Sequence, residues 1–227
     1  MKTIGMLGGM GPESTSYTYM RMIRYCQARY GARLDSDFPP IIMYSMPVAD
    51  VVEEGSDDPE VLASLDDGLG RLVKAGASFS FIACNTMQGF VPALRKKYDL
   101  LSMVDETTRE ASADPRNWAI LATPVTVRKG FYQQAFRKAG LTLLEPSASD
   151  QKEVTLAIRE ILAGADMARP RSRLASVVRS LGKEGAEGIV LACTDLPIAI
   201  GPADMPMKLL DTADVIAQAG VERWRRQ

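Results

Sequence analysis

Apolar residues along this chain fall into short runs separated by longer amphipathic stretches, an alternation that predicts strands and helices in turn. Residues 3–8, TIGMLG, read as a buried strand. The segment GMGP follows, and a helix is predicted to open near Glu13 with Pro12 in its first turn. A second strand is expected over 40–45, then a helix over 59–76 that Asp-Pro opens and Gly76 closes. The third strand covers 79–84, its following helix runs to about Lys97, and a further strand is expected over 100–104. Polar residues 105–118, with a proline near the end, read as a crossover.

After that crossover the rhythm restarts. A strand is predicted over 118–123, a helix over 126–140 and another strand in LTLLEP. Two helices follow, around QKEVTLAIREILAG and RSRLASVVRSLGKEG, and then strands over 188–193 and 207–211 and a closing helix. Such alternation implies an α/β fold. The two halves resemble each other in outline, which predicts two pseudo-symmetric lobes, each a mostly parallel sheet flanked by helices, with a ligand cleft between them. The first lobe is expected to take residues 1–104 plus 209–227 and the second 105–208.

One phrase occurs in both halves. FSFIACNT ends the third strand and GIVLACTD ends a strand of the second half, so Ala-Cys-x-Thr stands twice at a strand's C-terminal end. Function in parallel sheets gathers at those ends. Cys84 and Cys193 are thereby predicted to face one another across the cleft. The remaining cysteine, Cys26, shares helical spacing with Tyr19, Met22, Ile23 and Tyr30 and reads as core.

Composition sharpens this picture mainly by what it lacks. The chain has no histidine. That excludes Ser-His-Asp and Cys-His pairs and argues against a catalytic zinc site, so no metal is expected. Proton transfer near neutral pH then falls to Cys, Asp, Glu, Lys or Tyr, and cysteine's ordinary pKa of about 8.5 lies nearest. A net charge of -1 gives no field for nucleic acid or an anionic membrane, and neither is expected as a partner. No apolar run approaches a membrane span. Three cysteines without a dense framework fit reduced thiols and a cytoplasmic setting.

Two opposed thiols suit the inversion of a stereocentre, which needs a base on one face of a carbon and an acid on the other. Helix N-termini after the cysteines are expected to favour the thiolate and to offer N–H groups to a substrate carboxylate. Asn85, Thr86 and Thr194 are local donors for that carboxylate, with Thr123 and Thr126 of ATPVT beside them. Each of these polar residues is also an ordinary N-cap type. The segment GGMGPEST lacks both Gly-x-Gly-x-x-Gly and Gly-Lys-Ser/Thr, so it reads as a tight backbone turn against a small ligand rather than a nucleotide site.

With IGMLGGMGPEST at the start, ACNT at residue 84 and ACTDL at 193, the chain resembles the aspartate/glutamate racemase family over essentially its whole length. The resemblance implies two α/β lobes, a homodimer, and racemisation of amino acids with no cofactor. It implies that Cys84 and Cys193 are the acid/base thiols, and that Met10, Asn85, Thr86 and Thr194 line the substrate site. Aspartate-specific members carry an arginine where Val52 stands here and a lysine near Ala163, and neither is basic in this chain. A desolvated carboxylate side chain needs a cationic or donor-rich partner. The expectation is a neutral or broad amino-acid substrate, or an acidic one gripped differently. A related maleate isomerase or hydantoin racemase chemistry and a non-catalytic amino-acid-binding role are the competing readings.

Overall fold

The computed structural model describes residues 2–48 and 59–226. Among these residues seven strands form two parallel sheets. The first contains β1 (Ile4–Gly8), β2 (Ile41–Ser45) and β3 (Phe79–Ile82), in the order β2-β1-β3. The second contains β4 (Trp118–Ala122), β5 (Leu143–Leu144), β6 (Gly188–Ala192) and β7 (Lys208–Asp211), in the order β5-β4-β6-β7.

Helix α1 (Pro12–Tyr30) follows β1, with Pro12 in its first turn as expected. Gly31, in the left-handed region at φ 67°, ends it by donating to the Gln27 carbonyl, and Ala32 donates to that of Cys26. Helix α2 (Pro59–Lys74) precedes β3, and the short α3 (Val91–Leu94) follows it. Then come α4 (Met103–Ala113), α5 (Pro124–Lys129), α6 (Phe131–Lys138), α7 (Ala148–Leu162), α8 (Ala168–Lys183), α9 (Leu196–Ala199) and α10 (Thr212–Arg225). No helix among the described residues is long and apolar enough to cross a membrane.

Alternate residues of each strand feed opposite layers, as the two-residue period requires. In the first sheet Ile4, Met6, Phe79 and Phe81 pack on α1, α4 and α10, with Met22 and Cys26 in the same cluster. Cys26 is therefore core, as its spacing predicted. Leu7 and Ile82 face α2 through Leu65, Leu69 and Leu72. In the second sheet Ala119 and Leu121 meet α7 and α8, whereas Trp118 and Ile120 meet Tyr132 and Phe136 of α6. Lys208–Asp211 pair with Gly188–Leu191, so β7 completes the second sheet, and only α10 returns to pack beside β1.

Three local expectations are corrected. The strand predicted at 100–104 reduces to an isolated bridge between Leu100 and Ser80. The chain instead turns helical at Met103, because the Ser102 hydroxyl caps the Asp105 N–H at 3.1 Å and Met103, Thr107 and Ala111 repeat on one buried face. Much of the stretch read as a crossover is thus α4. The single helix expected over 126–140 begins at Pro124 and breaks at Gly130, whose φ of 68° is left-handed. The chain after Cys84 forms a 3-10 turn over Thr86–Phe90 before α3.

Asp211 links β7 to α10. Its carboxylate caps the Ala213 N–H at 2.9 Å and accepts the Tyr17 hydroxyl of α1 at 2.7 Å. Burial raises this carboxyl to about 6. A raised acid holds its proton more tightly in the folded state, so its contribution is full below about pH 4 and is lost as pH rises through 6. Asp211→Asn is therefore expected to gain on the wild type by ~2 kcal/mol between pH 4 and 7. Urea denaturation at the two pH values measures that difference, and a constant gap would contradict it.

Candidate active site

Register places the chemistry. Leu7 pairs with Ile82 and Ala122 with Ala192, so the chain leaves each sheet with two neighbouring loops on the same edge. The loops after β1 and β3 carry Gly9–Gly11 and Cys84–Thr86, and those after β4 and β6 carry Thr123 and Cys193–Asp195. These four loops enclose a cavity of about 230 Å³ that both thiols line. Gly9 makes the first turn possible. Its φ is 95°, and a Cβ there would lie 2.3 Å from the Met46 carbonyl oxygen.

Met10, Asn85, Thr86, Thr123 and Thr194 also line the cavity. Thr126 does not. It stands behind Thr123, within 2.9 Å of its hydroxyl, and closes a triangle with Thr86, whose hydroxyl lies 3.1 Å from Thr123 and 3.2 Å from Thr126. Opposite this triangle the Thr194 hydroxyl donates to Ser14 at 3.2 Å. Both contacts join residues of different sheets, so the two halves are pinned on either side of the cavity.

The sulfurs differ in their surroundings. Cys84 is 6% exposed, and burial pushes its thiol up to about 11 although the Thr86 and Met87 N–H groups reach its sulfur and oppose the shift. Burial raises the Cys193 thiol well above its ordinary value, and the Asp195 carboxylate adds to that. Cys193 Sγ donates to Asp195 Oδ2 at 3.6 Å. Charge on Cys84 raises Cys193 further, so the two sulfurs feel one another. The N–H groups expected to favour thiolates are present, yet desolvation outweighs them at both positions.

Sequence reasoning passed over several residues that complete the site. Asp195 lines the cavity, is 5% exposed, and has its carboxyl raised by burial. Its signal was available, an acid two residues after a thiol in ACTDL. The wall of Val48, Ile158 and Leu162 had no such signal, because α7 positions read as ordinary core until the fold places them. A Cβ at Gly11 would lie 3.1 Å from Leu162 Cδ2, so α7 reaches across to the glycine turn. Among the described cavity residues none is basic. Val52 lies outside the described residues, and Ala163 caps α7 beside Leu162.

A larger cavity of about 460 Å³ lies between α1, α10 and β7 and contains neither thiol. Its charges answer one another, Arg21 with Asp214 at 2.7 Å and Tyr17 with Asp211.

Comparison with known proteins agrees with this architecture. The Asp/Glu/Hydantoin racemase family model matches residues 7–220. The chain is 26% identical over 226 residues to the broad specificity amino-acid racemase RacX of Bacillus subtilis, covering 97% of each. An aspartate racemase homologue from Pyrococcus horikoshii OT3 has a similar structure, with TM-score 0.80 and 26% identity over 98% of this chain and 99% of that one. The Picrophilus torridus aspartate racemase shares the fold, with TM-score 0.84 and 22% identity over 98% and 94%.

Proposed function

Since the chain belongs to the Asp/Glu/hydantoin racemase family, we propose that it inverts the Cα of amino acids by proton transfer between Cys84 and Cys193, without a cofactor. The observation that supports this reading is the placement of both thiols on one small cavity, each brought there by a different sheet. The thiolate of one cysteine takes the Cα proton and becomes a thiol. The thiol of the other delivers its proton to the opposite face and becomes a thiolate. The next turnover in reverse, or exchange with solvent, restores the starting state.

The high thiol pKa serves this chemistry. A Cα–H bond is a very weak acid, and a desolvated thiolate is a stronger base than one in water. Negative charge on the reacting carbon spreads onto the substrate carboxylate. Asn85 and Thr86, which line the cavity beside Cys84, supply donors to it as that charge grows, while Thr194 spends its hydroxyl hydrogen on Ser14. We assign the more readily ionised thiol to Cys84, whose thiolate two N–H groups serve, and the more strongly protonated one to Cys193, which faces the Asp195 carboxylate.

The apolar wall of Val48, Ile158 and Leu162 fits a neutral side chain better than a carboxylate. The similarity to a broad specificity racemase agrees with a wide substrate range. The test incubates the protein with L- and D-amino acids in D2O. Deuterium is expected to enter at Cα, with aliphatic and polar neutral substrates ahead of aspartate and glutamate. An isomerase that adds its thiol to carbon would give no Cα exchange, and a binding protein would give thermal stabilisation without exchange. Either outcome defeats the proposal.

A further inference from the structure

Asn85 is adjacent to Cys84 and lines the cavity, and its carboxamide is held at both ends by residues of other elements. Its Nδ2 donates to Thr212 Oγ1 at 2.9 Å, and its Oδ1 accepts the Tyr132 hydroxyl at 2.5 Å. Thr212 Oγ1 in turn donates to the Leu191 carbonyl at 2.8 Å.

This network has one sense only. The Thr212 hydrogen is committed to Leu191, so Thr212 can only accept from Asn85, and the amide nitrogen must face it. The amide oxygen is thereby turned to Tyr132, which must donate. Tyr132 is fully buried, and burial holds its phenol protonated far above neutral pH, which suits a donor. The second Nδ2 hydrogen has no partner among the described residues.

The three anchors come from separate parts of the chain. Tyr132 lies on α6, whose direction is set by the left-handed Gly130. Thr212 is the first residue of α10, and Leu191 lies on β6 two residues before Cys193. One chain of hydrogen bonds therefore runs from the residue beside one thiol to the strand that carries the other.

We infer that Tyr132 and Thr212 are positioning residues that lock the Asn85 carboxamide with its free N–H turned toward the substrate carboxylate. The role of that carboxylate rests on the racemase reading; the locked amide does not. Releasing either anchor lets the amide rotate and present its oxygen to a negative charge. A misaligned donor of this kind costs about 10- to 100-fold in rate.

The chain contains two asparagines, Asn85 and Asn117, so 15N-asparagine labelling yields two side-chain amide pairs, assigned with Asn117→Ser. In the wild type the Asn85 hydrogen donated to Thr212 is expected to resist hydrogen exchange, while its partner facing the cavity exchanges freely. Thr212→Val and Tyr132→Phe should each abolish that protection and lower kcat about 10- to 100-fold with a smaller change in KM. Thr212→Ser should restore both, which a general packing defect would not. Continued protection with unchanged kcat in both variants overturns the inference, as does a folded Thr212→Ser that rescues neither readout. A wild type that racemises nothing defeats the racemase reading, while amide exchange still decides the lock.

Discussion

Replacement of either Cys84 or Cys193 by serine is expected to abolish net racemisation, a loss of at least ~1,000-fold, because a serine hydroxyl is a far weaker acid and base near neutral pH. The loss should not be uniform across half-reactions. Each variant keeps one thiol on one face of the substrate carbon. Cys84→Ser should still exchange the Cα proton of the enantiomer that faces Cys193, and Cys193→Ser that of its mirror image. In D2O the two variants therefore give complementary patterns, each deuterating one enantiomer without inverting it. Cys26→Ser is the control, since Cys26 is core and lines neither cavity. Wild-type racemisation by both serine variants would end the two-thiol account. Exchange of both enantiomers by one variant would mean a single mobile base.

The two thiols were legible in the sequence because a strand end leaves a local signature. An apolar run followed by Ala-Cys-x-Thr can be read without the rest of the fold, and so can the glycine turn before α1. Strand positions were legible for the same reason, and β1, β2, β4, β6 and β7 each fall within a residue of the expected span. Helix α4 was obscured by composition. Its acids and threonines resemble a linker, and its buried stripe of Met103, Thr107 and Ala111 is only partly apolar. Thr126 illustrates the opposite error, a residue of suitable chemistry that tertiary packing turns away from the cavity to brace Thr86 and Thr123.

What could not be read locally is what sets specificity and basicity. Ile158 and Leu162 are one helical turn apart on α7, and their sequence context cannot distinguish a cavity wall from a core stripe. Tyr132 and Thr212 act only through contacts that span 47 and 127 residues of chain. Thiol pKa values depend on burial, which is a property of the assembled lobes. The sequence pattern of donors after each cysteine suggested lowered values, and desolvation reverses the sign.

That reversal leads to a steep pH dependence. With Cys84 raised to about 11, protonation dominates through neutral pH. Because the reactive form is the deprotonated one, activity is expected to rise with pH, about tenfold per unit from 7 to 10 and ~1,000-fold in all. Thiolate ultraviolet absorbance follows the same titration without interference from the substrate's ammonium group, and Cys193→Ser isolates Cys84 once Cys26 is also replaced. Asp195→Asn then separates the causes. It removes the carboxylate that raises Cys193 but leaves the burial, so the Cys193 titration should move down while Cys84 moves less. An unmoved Cys193 would show that desolvation alone sets its proton affinity. Activity that already levels off near pH 7 would place the working thiolate in a wetter setting than the cavity provides, and the assignment of Cys84 as the more readily ionised thiol would fall with it.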